Sequence, residues 1–146
     1  MVQIVNKKAH FNFKLQEKLE AGISLSGSEA KTLRIRGGDL SNSYAKIING
    51  EVFLINFNIP IENKKNFDPL RTRKLLLHKS EILAISTKIK SQNLTIIPVK
   101  MYNKRRLYKI ELALAKAKRK FEKRQAIKKK DVEREIAQGM KGNFRG

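Results

Sequence analysis

Apolar residues along this chain recur with two periods, and these divide it into strands and helices. Phe11, Phe13 and Leu15 alternate with polar residues, and after Glu17 and Lys18 a second alternation sets Leu19, Ala21, Ile23 and Leu25 on one side, which predicts two strands. Glu20, Gly22 and Ser24 then share the opposite side of the second strand, a flat patch with one carboxylate on it. Ser26-Gly27-Ser28-Glu29 has the form of a capping box and Gly37-Gly38 supplies a stop, so a short helix lies between them with Ala30 and Leu33 inward. Ser43 to Ile48 and Glu51 to Ile55 flank Asn49-Gly50, a dipeptide that tolerates positive φ and predicts a hairpin.

Asn56 to Phe67 is polar and irregular and reads as a loop. Asp68 suits a helix cap and Pro69 a first helical turn, so a second helix is expected from there, with Leu75, Leu76, Ile82, Leu83 and Ile89 on its packed face. Ile97, Val99 and Met101 alternate within a strand from Leu94 to Tyr102, where Pro98 marks an edge or a bulge. After a basic turn at Asn103 to Arg106, Tyr108, Ile110, Leu112 and Leu114 alternate in a last strand. About six short strands with two inserted helices make a mainly β chain. The order fits a small antiparallel barrel of the oligonucleotide-binding type.

Charge adds a ligand class to that fold. The 146 residues carry a formal net charge of +20, and a field of that size favours a polyanion, nucleic acid first. An anionic membrane surface fits less well, because the cations lie among strands and short helices and no basic amphipathic helix is visible. Residues 116–146 hold 12 cations against 4 acids, a net +8, which leaves +12 on the first 115 residues. The chain therefore divides into a barrel, 1–115, and a basic tail, 116–146. KAKRKFEKRQAIKKKD has too few apolar residues to offset ordering entropy and is expected to be disordered in the free protein. Beyond it Asp131 can start a short helix with Val132, Ile136 and Met140 four apart, marginal alone and expected to form on a partner.

At the start of the expected second helix, Arg71, Arg73 and Lys74 place positive charge near the positive end of the helix dipole, an arrangement suited to phosphate. A solvated helix end is the plainer explanation. Lys31 and Arg34 stand three apart on the first helix and project together. Cysteine is absent, the only histidines are His10 and His78, and the acids are scattered, so no metal or cofactor is expected. No Walker loop, dinucleotide fingerprint or nucleophile elbow occurs. A nuclease built on Glu20, Glu29 and Asp39 is the one enzymatic alternative. With no apolar run of signal or membrane-span length, a cytoplasmic, soluble protein is expected.

NKKA at Asn6, EAGISLSGSEAKTLR from Glu20, NSYAKIINGEVFL from Asn42, DPLRTRKLLLHKSEI from Asp68 and the Lys/Arg-rich tail resemble the SsrA-binding protein family of bacterial trans-translation over nearly the whole chain. The resemblance implies an oligonucleotide-binding barrel with a flexible tail. It implies binding to the tRNA-like domain of transfer-messenger RNA and help in its delivery to stalled ribosomes, with no enzymatic activity. It places Asn6, Glu20, Leu76 and His78 at RNA-contacting positions, with Lys7, Lys31, Arg34, Arg71, Arg73 and Lys74 as basic support. The partners implied are that RNA and the ribosome's rRNA, with elongation factor Tu reached only through the RNA and the protein itself monomeric. Lys118, Arg119, Lys123, Arg124, Lys128, Lys129 and Lys130, with Val132, Ile136 and Met140, are the expected ribosome-contacting tail. The chain departs from the family pattern at Ala9 to Lys14, at Ala117 in place of a glycine and at Glu122 in place of an aspartate.

A generic single-strand binder of the same fold is the alternative. It needs aromatics on an exposed sheet face for base stacking. Here most aromatics alternate with polar residues as core positions do, which favours recognition of RNA backbone and shape.

Overall fold

The computed structural model describes residues 3–61 and 67–118. Within them the chain runs β1 (Gln3–Val5), α1 (Ala9–Asn12), β2 (Phe13–Ile23), α2 (Gly27–Ile35), β3 (Tyr44–Ile48), β4 (Glu51–Ile55), β5 (Arg73–Leu76), α3 (Lys79–Gln92), β6 (Thr95–Lys104) and β7 (Leu107–Ala117). Every pairing is antiparallel. The order β6-β3-β4-β5-β2-β7 closes on itself because β7 also pairs with β6, and β1 adds to the free part of the β6 edge. The result is the expected mainly β barrel.

Closure depends on the two long strands. β2 meets β7 from Phe13↔Ala117 to Gly22↔Lys109, with a register shift between Leu15 and Lys18. The shift lets β2 curve around the barrel where two separate strands were expected, and Phe11 belongs to α1. β6 has its irregularity between Pro98 and Lys100, so the proline sits at a bulge. β7 takes in Lys116 and Ala117, residues that composition assigned to the tail, and Lys118 N–H donates to the Asn12 carbonyl at 2.9 Å. The core is lined by Ala21, Leu33, Val52, Leu54, Leu75, Ile96, Met101, Ile110, Leu112 and Leu114, all nearly inaccessible.

The 49–50 hairpin forms as expected, with φ of 52° at Asn49 and 76° at Gly50. The capping box also forms: Glu29 N–H donates to Ser26 Oγ at 3.2 Å and Ser26 N–H to Glu29 Oε1 at 2.9 Å. The expected helix from Asp68 does not form. Asp68 Oδ1 accepts from Leu70 N–H at 2.9 Å, which is an Asx turn, and the chain then enters β5 with Arg73 and Leu75 inward, Lys74 and Leu76 outward. The helix starts ten residues later at Lys79, with Ile85 buried, Ile82 and Ile89 packed against the core, and Leu83 facing solvent.

The inward arginine explains the difference. Arg73 and Glu29 are both completely buried. Arg73 Nε donates to Glu29 Oε2 and Nη1 to the Phe57 carbonyl, both at 2.5 Å, and Nη2 to the Pro69 carbonyl at 3.1 Å. Arg71 Nη2 donates to Glu29 Oε1 at 2.5 Å. Burial pushes the Glu29 carboxyl up, but hydrogen bonds from Arg71, Ser26 and Arg73 and the charge of Arg73 outweigh it and hold the group down at about 2. Burial also lowers Arg73 from its ordinary value against the pull of Glu29, yet a guanidinium titrates so far above neutrality that it stays charged. A strand delivers Arg73 to this partner; a helix would turn it away.

Two outcomes follow from this pair. Because the folded Glu29 value of about 2 lies below the ordinary 4.5, its contribution to stability is complete above pH 4.5 and is lost as pH falls toward 2. Glu29→Gln, which leaves Arg73 buried without its counter-ion, should cost about 3–5 kcal/mol in urea unfolding. It should also flatten the acid limb of the stability profile.

Candidate nucleic-acid interface

The outer face of the sheet is assembled by register. Gln3 pairs with Tyr102, Tyr102 with Lys109, Lys109 with Gly22 and Gly22 with Leu76, so one row crosses β1, β6, β7, β2 and β5. One step along, Val5 pairs with Lys100, Lys100 with Glu111 and Glu111 with Glu20. Cross-strand partners share a face of the pleat, so these residues present themselves together.

Leu76 is 54% exposed, although it neighbours core residues in sequence. Gly22 makes room for it: a Cβ added there would lie 3.2 Å from Leu76 Cβ. The leucine is thus supported on a backbone floor with its end in solvent. Glu20 and Glu111 stand opposite one another, an arrangement that repels unless it is compensated. Glu111 is compensated by Lys18 at 3.8 Å and Lys100 at 3.4 Å. Among the described residues Glu20 has no cation paired with it; its Oε2 accepts a hydrogen bond from the Tyr102 hydroxyl. Burial and the bond to Glu20 push the Tyr102 phenol up to about 12, so it remains a donor at neutral pH. Glu20 keeps acceptor capacity facing solvent, which suits base amino groups and ribose hydroxyls.

The other expected contacts divide. His78, Lys7, Lys31 and Arg34 are exposed, and His78 precedes α3 with its N–H bonded to Glu81 Oε1 at 3.3 Å. Lys74 is exposed and reaches Glu51 at 3.3 Å, while half-exposed Arg71 is drawn to Glu29. Two assignments must be corrected. Arg73 is enclosed by Glu29, Phe57 and Pro69 and has no surface to offer RNA. Asn6 is 3% exposed: its side-chain amide donates to the Pro98 carbonyl at 2.8 Å and its Oδ1 accepts from Lys8 N–H at 3.2 Å. Asn6 therefore positions the turn that carries Lys7 and Lys8. Of the tail residues, Lys118 is described and its Nζ donates to the His10 carbonyl at 2.7 Å. Arg119, Lys123, Arg124, Lys128, Lys129, Lys130, Val132, Ile136 and Met140 lie outside the described residues.

Lys109 and Tyr102 were not among the expected site residues, whereas Gly22 was expected on the patch with Glu20 but not as the floor beneath Leu76. Lys109 was visible as the polar alternate in an apolar strand, but only the β2–β7 register shows that it flanks Gly22. The acids of the nuclease alternative each have separate partners: Glu20 has Tyr102, Glu29 has the arginines, and Asp39 Oδ1 accepts from Ser41 N–H at 2.9 Å and Oγ–H at 2.6 Å. Among the described residues no cluster of His, Asp or Glu could hold a metal ion, and no helix is long and apolar enough to cross a membrane.

The family described as SmpB protein matches residues 3–142. The chain belongs to that family. Relatives named SsrA-binding protein occur in Thermosipho africanus, 49% identical over 142 residues covering 94% of this chain and 95% of the relative, and in Malacoplasma penetrans, 47% identical over 137 residues covering 92% and 94%. A solved SmpB-related chain, from work headed "tmRNA-SmpB: a journey to the center of the bacterial ribosome", superposes with a TM-score of 0.68 at 36% identity, covering 87% of this chain and 95% of that one. The motifs quoted above thus led to the right family, and the SmpB fold is shared beyond them.

Leu76→Ala and Glu20→Ala should weaken binding of an RNA transcript by about 1.5–3 kcal/mol for the charge-assisted Glu20 contact. The Leu76 change should leave the melting temperature nearly unaltered because its side chain is solvent-facing. Gly22→Val, which displaces Leu76 without touching its chemistry, should weaken binding in the same filter or fluorescence assay.

Proposed function

We propose that this protein is a non-enzymatic RNA-binding adaptor of trans-translation. It binds the tRNA-like domain of transfer-messenger RNA and helps deliver that RNA to stalled ribosomes, where a nascent peptide is tagged. The observation that carries the reading is the outer row around Glu20, Gly22, Leu76 and Lys109: a carboxylate acceptor, an ammonium and an exposed leucine on one rigid sheet, in a chain of the SmpB family. Cations neutralise phosphate anywhere along an RNA, whereas an acceptor and an apolar contact at fixed spacing discriminate shape and groups. Relatives bear the name SsrA-binding protein, and the solved neighbour is named with tmRNA and the bacterial ribosome.

The row does not suit generic single-strand binding. It holds one aromatic, Tyr102, and a single ring does not make a run of stacking platforms for successive bases. The deciding experiment is to sequence the RNA that co-purifies with the protein from cells. Transfer-messenger RNA should dominate; a random RNA population would overturn the reading.

In this account the barrel holds the RNA and the tail acts on the ribosome. The cut that separates them belongs after Lys118, since that residue is bonded to Asn12 and His10. A chain ending at Lys118 should retain most of its RNA affinity yet fail to support tagging of a nascent chain in a reconstituted stalled-ribosome assay. Normal tagging by it would remove the proposed division of labour.

A further inference from the structure

The barrel contains two hairpins with two-residue turns, and they differ in one respect that chemistry makes informative. At Asn49-Gly50 φ is 52° and 76°; at Arg105-Arg106 φ is 51° and 66°. Both turns place two consecutive residues in the left-handed region, where a side chain crowds its own backbone and asparagine-glycine is the favoured pair. The first hairpin uses that pair. The second imposes the same backbone on two arginines, the costlier choice for folding.

Nothing in the described structure offsets that choice. Lys104, Arg105, Arg106 and Leu107 are all exposed, Leu107 at 62%, and among the described residues none of the three cations pairs with an acid. Their position is not arbitrary. Lys104 pairs with Leu107 two residues beyond the Tyr102↔Lys109 pair, so both lie on the outer face, and the tip extends that face by about 7 Å. Leu107 there repeats the exposed leucine that Leu76 supplies on β5. Tyr108 fixes the root of the tip, its hydroxyl donating to the Ala30 carbonyl of α2 at 3.4 Å.

We infer that the β6–β7 hairpin tip is a second RNA-contacting element, in which Arg105 and Arg106 clasp backbone phosphates of the same RNA that the outer face holds. Lys104 and Leu107 continue that face between the phosphate clasp and the Lys109–Gly22–Leu76 row. The inference rests on the reading under Proposed function. It commits to transfer-messenger RNA over rRNA because tip and row form one continuous surface. Guanidinium forks suit phosphate oxygens, and the turn holds two of them on adjacent exposed residues.

Replacing the tip with the turn of the other hairpin separates folding from binding. Arg105→Asn with Arg106→Gly should leave the melting temperature unchanged or raised. It should weaken binding to a transcribed tRNA-like domain about tenfold and reduce the slope of log affinity against log salt by about 1.4–1.8, the share of two phosphate contacts. Arg105→Lys with Arg106→Lys should keep most of that slope. Unchanged affinity and slope in the Asn-Gly variant would overturn the inference, as would a lowered melting temperature, which would make the arginines structural. Weakened binding to purified ribosomes with an intact transcript interaction would assign the tip to rRNA and overturn it as well. Failure of the unaltered chain to bind the transcript would instead overturn the reading of function, and this inference with it.

Discussion

One buried carboxylate, Glu29, is bound into four parts of the fold at once. It closes the first turn of α2 through Ser26, takes both Arg71 and Arg73, and through Arg73 reaches the carbonyls of Phe57 and Pro69. The Arg73 guanidinium also lies 5.3 Å from the centre of the Phe57 ring. Such a pair contributes little net free energy against an apolar replacement, because both ions lose their water; its effect is to make alternatives expensive. If Arg73 is inside, the two-residue period of β5 puts Leu75 inside and Lys74 and Leu76 outside. The exposed leucine of the outer face is oriented by a charge on the opposite side of the strand.

The same pair marks where reading from sequence worked and where it stopped. The Asn49-Gly50 hairpin, the Ser26–Glu29 cap, the bulge near Pro98 and the alternation of Ile110, Leu112 and Leu114 were legible because each is a local preference that the fold obeys. Asp68 to Lys79 was misread because an arginine is ordinarily an outward residue, and treating Arg73 as outward makes the leucines that follow look like a helical face. A counter-ion 44 positions away in sequence holds it inward, together with the carbonyls of Phe57 and Pro69. The site had the same limit. Glu20 stood out as an acid in a basic chain, but its neighbours Lys109 and Tyr102 come from strands more than 80 residues distant, and nothing local announces a register. Asn6 illustrates the converse: a polar residue at a functional motif whose side chain is spent inside the protein.

The electrostatics of the outer face depend on local compensation more than on the total of +20. Two glutamates face each other across β2 and β7, and among the described residues lysines pair with only one of them. The other accepts a hydrogen bond from a phenol that stays protonated near neutral pH, which orients it. Under the proposed function the surrounding cations draw RNA in from a distance, and the acceptor favours an RNA that offers donors at the right place. Under it, affinity and discrimination fall to different residues within one sheet.

The ring of strands also has an order of completion. β7 is the strand through which the two ends of the sheet meet, bonded to β2 along one edge and to β6 along the other, and it is the last strand among the described residues. Until residues 107–117 have been synthesised, the long edges of β2 and β6 have no partner. Both edges then offer unpaired backbone donors and acceptors to any passing strand; β6 is covered by its own hairpin partner, whereas the β2–β7 pairings that complete the ring join residues about a hundred positions apart, such as Phe13 and Ala117. Barrel closure is therefore a late event in the life of the nascent chain. A large net charge of one sign on every copy disfavours association between such half-built sheets.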